Sequence, residues 1–177
     1  MSERLAYEFC EISRRDLASV MAKRKLEIDN KLLTFAIQRT IGFEQLLSKR
    51  FLGRSIPKPP HLSEDLSDED WKPFLGLISQ SFDAHFDIYV NFTDLALADL
   101  INKFVEDVKV NGFPRMLNED SNNLHNSSAD LFIFYKNCMT QCLQLFTNST
   151  LLSKLAFTFQ KYLREYSNRV LSSNLPK

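Results

Sequence analysis

The chain has 177 residues, in which 22 basic side chains balance 22 acidic ones. Proteins that bind nucleic acid or anionic membranes usually carry a basic excess, because neutralising phosphate supplies most of their affinity. The zero net charge therefore argues against both classes. No apolar run approaches the length of a membrane span, and the N-terminus lacks the apolar core of a signal peptide. We expect a cytosolic domain or rod-shaped segment.

The first 53 residues predict one long helix. Apolar side chains recur every three or four positions through residues 13–51, which places them on one stripe. Ser13 suits the start of this helix and Gly53 its end, while residues 1–12 form a short helix or join the long one directly. The stripe is either core or a partner surface, and its candidate residues are Leu17, Met21, Ile28, Leu32, Phe35, Phe43 and Leu46.

The rest of the chain predicts a linker, more helices and a second loop. Residues 54–73 contain Pro57, Pro59 and Pro60 and then an acidic run, which favour a linker. Residues 74–111 have helical spacing, and we reject a strand at residues 86–92 because nothing else in the chain pairs with it. Residues 112–127 form a polar loop, and residues 128–175 predict a helical hairpin. The expected fold is an all-α, elongated antiparallel bundle, forming a single segment over residues 1–177.

Motifs for catalysis, cofactors and metals are lacking in this sequence. It has no glycine-rich phosphate loop, no paired-histidine metal motif and no nucleophile elbow, so we expect neither an enzyme nor a cofactor. Cys138 and Cys142 lie four residues apart, but the histidines are not spaced to complete a zinc site, which favours two small buried hydrophobes. Eight of the 15 phenylalanines fall within helical stripes and are predicted to be core residues: Phe35, Phe43, Phe82, Phe104, Phe132, Phe146, Phe157 and Phe159.

Two blocks of sequence resemble a known family. Residues 2–53 contain the word FAIQRT, and residues 128–146 and 158–177 contain LFIFYKNCMTQCLQLF and FQKYLREY. In order and spacing these blocks resemble the middle of the fifty-third vacuolar-protein-sorting subunit of the Golgi-associated retrograde protein complex, known as GARP. The resemblance implies a helical-rod tethering subunit. It also implies that family members are longer than this chain and carry an N-terminal coiled coil.

The resemblance implies a function in vesicle traffic. Its family acts at the trans-Golgi network on vesicles returning from endosomes, and a related assembly works in endosomal recycling. The implied partners are the fifty-first, fifty-second and fifty-fourth sorting subunits and syndetin, with peripheral membrane association through the complex and no nucleic acid. The alternative is a generic helical scaffold or small-GTPase effector that is unrelated to Golgi tethering.

Overall fold

The computed structural model describes residues 2–51, 73–112, 127–146 and 151–172. These residues contain no β-strand, which confirms the all-α prediction, and residues 86–92 are helical as expected. The predicted linker and polar loop lie largely outside the described residues. The α-helices are α1 Ser2–Lys23, α2 Asn30–Phe51, α3 Phe86–Asn111, α4 Ser127–Leu145 and α5 Leu151–Tyr166, with short 3-10 helices at Lys25–Glu27 and Ser79–His85 and a π-helical end at Ser167–Ser172.

The prediction of one uninterrupted helix through residues 13–51 is wrong. Helix α1 runs through Ser13 without a break and ends at Lys23, and α2 begins at Asn30. Ile28 between them has extended backbone, with a ψ of 110°. The Leu32 amide donates a 2.7 Å hydrogen bond to the Asp29 carboxylate, so Asp29 is the N-cap that starts α2. No glycine or proline marks this break in the sequence.

The described residues fall into two compact units. The first comprises residues 1–88 together with residues 145–148. In it α1 and α2 lie side by side and antiparallel, since the Phe9 ring meets the Phe43 ring near one end and Met21 and Leu33 line one cleft near the other. Segment 73–85 packs on this pair. Its buried apolar side chains include Cys10, Met21, Leu33, Ile37, Phe74, Ile78 and Phe82.

The second unit comprises residues 89–144 and 149–177 and contains a three-helix bundle. Antiparallel packing of α4 and α5 follows from two contacts: the Tyr135 hydroxyl donates to the Phe159 carbonyl at 3.0 Å, and the Ser127 and Tyr166 hydroxyls lie 2.9 Å apart. This agrees with the predicted helical hairpin. Parallel packing of α3 with α5 and the π-helical end that follows it is shown by the pairs Asp94–Lys161 and Asn102–Arg169, each at 2.8 Å.

Two glycines settle details of the helices. Gly112 follows α3 with a φ of +76°, which is the left-handed conformation expected of a glycine that ends a helix. Gly42 lies inside α2 without interrupting it, and an added Cβ there would meet no atom within 4 Å.

Within the described residues, no helix is both long and apolar enough to cross a bilayer. The elongated rod stays a prediction.

Candidate interaction surface

A buried carboxylate fixes which face of α2 points inward. Glu44 is 0% exposed, and the amides of Ile78 and Ser79 donate to its Oε1 at 2.6 and 2.8 Å. The Gly76 amide and the Ser79 hydroxyl donate to its Oε2 at 3.0 and 2.8 Å. One carboxylate thus accepts from three amides at the turn that begins the 3-10 helix, where orphan N–H groups need acceptors.

A second polar contact and an apolar cluster extend this anchor. The Phe74 amide donates to the Ser48 hydroxyl at 3.1 Å, and the Phe74 ring lies 5.5 Å from the Phe51 ring. Phe74, Ile78 and Cys10 are buried together. Burial raises the pKa of the Cys10 thiol, and the nearby Glu44 raises it further, so this thiol stays protonated and inert. The inward face of α2 therefore consists of Leu33, Ile37, Glu44 and Ser48.

The opposite side of α2 exposes an apolar stripe. We call this set the outer stripe and define it as Leu32, Phe35, Arg39, Phe43 and Leu46, which are spaced by three or four residues and therefore share one side of the helix. Its apolar members are exposed by 53, 55, 38 and 66% in chain order. A single exposed apolar residue is ordinary, whereas a row along one helix is typical of a contact surface.

Ring contacts order part of the outer stripe. The Arg39 guanidinium lies over the Phe35 ring, 5.2 Å from its centroid. The Phe43 ring meets Phe9 of α1 edge to face at 6.1 Å. Both geometries are favourable for aromatic rings, so these side chains are held in place on the surface.

Ionisable side chains exposed on α2 all carry positive charge. The only acid in this helix is the buried Glu44, and its exposed ionisable residues are Lys31, Arg39, Lys49 and Arg50. Among the described residues none of these four forms an ion pair. Helix α1 differs, because Arg4 pairs with Glu8 and Arg14 with Glu11 along the same helix. We call Lys31, Arg39, Lys49 and Arg50 the basic rim of the outer stripe.

A cleft lies where α1, the connection and α2 meet. Its volume is about 250 Å³, and its lining is mainly apolar. The lining includes the predicted residues Leu17, Met21, Ile28 and Leu32. The predicted stripe is therefore shared between two surfaces. Leu17, Ile28 and the buried Met21 line the cleft, Phe35, Phe43 and Leu46 lie on the outer stripe, and Leu32 belongs to both. Phe35 is not the core residue that its spacing suggested.

Exposure divides the phenylalanines predicted to be core. Phe82, Phe104, Phe146 and Phe159 are buried, which agrees with the prediction. The prediction is wrong for Phe132 and Phe157, as it is for Phe35 and Phe43, because helical spacing identifies a stripe without saying whether anything covers it.

Sequence reasoning missed the residues that anchor the site. Glu44 and Ser48 are polar and were not assigned to the core, although an acid alone in an otherwise basic helix is a usable signal of burial.

His85, in the 3-10 helix, is 6% exposed, and its Nδ1 has no hydrogen-bond partner among the described residues. Burial lowers the pKa of His85, and the nearby Lys25 lowers it further. An uncharged His85 is therefore part of the packed first unit.

Metal binding finds no support in the described part of the chain. It contains no group of three or more His, Cys, Asp or Glu side chains placed to hold an ion. All three cysteines are free thiols, with Cys10 and Cys142 buried and Cys138 partly buried.

Comparisons with known proteins identify the family. A family model described as "Vps53, N-terminal" matches residues 1–109. The chain is 28% identical to the vacuolar protein sorting-associated protein 53 homolog of Caenorhabditis elegans, over 99% of this chain and 20% of that protein. It is 27% identical to vacuolar protein sorting-associated protein 53 of Saccharomyces cerevisiae, over 97% of this chain and 19% of that protein. Protein 53 A of Arabidopsis thaliana is 23% identical over 98% of this chain and 26% of its own length.

The chain spans about a fifth of the length of the first two relatives. No solved structure matches it. The family model covers the FAIQRT block, and the three relatives match nearly the whole chain, so both agree with the family resemblance of the sequence. Because the family model covers more than half of the chain, the chain belongs to the Vps53 family.

Proposed function

We propose that this chain is a structural segment of a vesicle-tethering subunit. The tether is the GARP complex, and its work is to capture vesicles that travel from endosomes to the trans-Golgi network, with a related role in endosomal recycling. Membership of the Vps53 family is the observation that carries this proposal. In this role the segment binds other proteins and catalyses no bond chemistry.

The structure supports a binding role through its surfaces. The outer stripe and the cleft present apolar side chains on a helix pair whose inward face is anchored by Glu44. A preformed surface loses little conformational entropy when a partner docks, which favours stable assembly. The fifty-first, fifty-second and fifty-fourth sorting subunits, and syndetin in the recycling assembly, are the partners we propose. Peripheral attachment to Golgi and endosomal membranes then comes through the whole complex.

Affinity capture tests this function. The full-length protein that contains this segment is tagged at its C-terminus, captured from cell extract at moderate salt, and its bound proteins are quantified by mass spectrometry against an untagged control. We expect the fifty-first, fifty-second and fifty-fourth sorting subunits in amounts similar to the bait. Recovery of a small GTPase or another stable partner without these subunits would contradict the proposal and favour a generic scaffold or GTPase effector.

A further inference from the structure

The geometry points to a specific kind of partner for the outer stripe: we propose that it docks an acidic amphipathic helix from another polypeptide. This inference rests on the proposed function, since it names the chemistry of a partner in the assembly. The contact would join two helices along the outer stripe, with carboxylates of the partner meeting the basic rim.

Spacing favours a helix as the occupant. Positions 32, 35, 39, 43 and 46 advance by three or four residues, so they stay within a narrow arc over four turns of α2. A narrow seam of this kind suits the apolar edge of a single facing helix. Lipid binding favours a broader apolar face, and here Arg39 sits in the middle of the seam.

The positive charge of the basic rim favours a partner helix with negative charge. Lys31, Arg39, Lys49 and Arg50 are exposed, and none forms an ion pair with a described residue. The one acid of α2, Glu44, is buried and accepts four hydrogen bonds. A facing helix with Asp or Glu beside its apolar seam would neutralise this rim, and one with Lys or Arg would be repelled.

The same charges argue against a second copy of this chain. The spacing of the outer stripe is symmetric about Arg39, because Leu32 and Leu46 each lie seven residues from it. An antiparallel pairing of two copies would therefore bring their Arg39 side chains together at the centre. Like charges opposed in this way disfavour the pairing.

A pair of synthetic helices provides the test. Both peptides have about three heptads with leucine at the seam positions; one carries glutamate at the flanking positions and the other carries lysine. Each is labelled with a fluorophore and titrated with this chain at low and high ionic strength, and binding is followed by anisotropy. We expect the glutamate peptide to bind, more weakly at high salt, and the lysine peptide to bind at least about tenfold more weakly.

Charge reversal on the chain sharpens the test. Arg39→Glu should weaken the glutamate peptide about tenfold or more, and Lys31→Glu together with Arg39→Glu should shift preference towards the lysine peptide. Lys136→Glu is the matched control, because Lys136 is an exposed cation on α4 between the exposed side chains Phe132 and Met139. It should leave affinity unchanged, and circular dichroism should show equal helicity in all variants.

Several outcomes would overturn the inference. These are failure of both peptides to bind, equal binding of both, or an equal effect of Lys136→Glu. Sedimentation of the chain with phosphatidylserine vesicles, without peptide binding, would assign the stripe to a membrane instead. A dimer in analytical ultracentrifugation that Arg39→Glu alters would assign it to a second copy. Any of these results, with the sorting subunits still captured by the full-length protein, would remove this inference and leave the proposed function standing.

Discussion

The two units of the molecule hold their helices together with different polar chemistry. In the first, the carboxylate of Glu44 is buried and accepts from three amides and a hydroxyl of segment 73–79. In the second, the buried polar contacts between helices come from neutral hydroxyl groups, as in the bond from Tyr135 to the Phe159 carbonyl, whereas the ion pair between Asp94 and Lys161 is exposed to solvent. A buried charge is costly unless every partner is present, whereas a neutral hydroxyl is replaced at modest cost. The first unit should therefore be the more sensitive to loss of one polar side chain.

Glu44→Ala is expected to have the largest effect. It strands the amides of Gly76, Ile78 and Ser79 without their acceptor, and each unsatisfied buried donor costs about 1–3 kcal/mol. We expect the free energy of unfolding to fall by about 4 kcal/mol or more, as measured by urea denaturation.

Two matched variants check this reading of Glu44. Glu44→Gln keeps one acceptor oxygen and should be intermediate. Glu106→Ala removes an exposed acid of α3 whose partner among the described residues is Lys109, three residues along the same helix, and it should change stability by less than about 0.5 kcal/mol. If Glu44→Ala costs no more than Glu106→Ala, the buried network does not anchor the first unit.

Two phenylalanines test the inward and outward faces of the first unit. Phe82 is 1% exposed, and Phe82→Ala should cost about 3–5 kcal/mol in the free energy of unfolding. Phe35→Ala removes a ring that is more than half exposed and should cost less than about 1 kcal/mol. Similar losses for both variants in urea denaturation would show that something covers Phe35 within the chain.

Tyr135→Phe measures the neutral chemistry of the second unit. It deletes only the hydroxyl that donates to the Phe159 carbonyl at 3.0 Å and keeps the ring stacked on Phe159. We expect a loss of about 1 kcal/mol, well below that of Glu44→Ala. Thermal unfolding of the two variants side by side would reveal this order, and the reverse order would refute the contrast between the units.

Acidification should weaken the first unit through His85. The folded state lowers the pKa of this histidine below its ordinary value of 6.5, so the unfolded chain binds the proton more readily. Its contribution is therefore present above that value and is lost as the pH falls through the folded pKa. Comparing urea denaturation at neutral pH and at slightly acidic pH should show a smaller dependence for His85→Leu. An equal dependence in both proteins would mean that His85 does not contribute.

Sequence patterns located most helices but did not show which face of each helix is buried. Gly112 correctly marked the end of α3, and the hairpin of α4 and α5 followed from a short connection. For α2 the pattern was ambiguous, because Leu33 and Ile37 form one apolar arc while Leu32 and Phe35 form another. Periodicity alone does not say which arc is covered. That decision comes from segment 73–79, whose amides need the carboxylate of Glu44 more than 30 residues away.

Spacing alone did not separate the two surfaces on which the candidate site residues lie. The seven residues chosen for their spacing proved to include both lining of the cleft and members of the outer stripe. The basic rim was hidden in a chain of zero net charge, because the balancing acids lie on other segments. Burial of Glu44 leaves only basic side chains among the exposed ionisable residues of α2.

Hydroxyl-radical footprinting of the assembled complex is the most direct test of the claim that α2 presents a partner surface. The full-length protein is labelled alone and after assembly with its captured subunits, and oxidation of Phe35 and Phe43 is quantified by mass spectrometry. Phe132 on α4, which is as exposed as Phe35 in this structure, serves as the reference. We predict strong protection of Phe35 and Phe43 on assembly relative to Phe132. Oxidation of Phe35 and Phe43 that is unchanged by assembly would contradict the account.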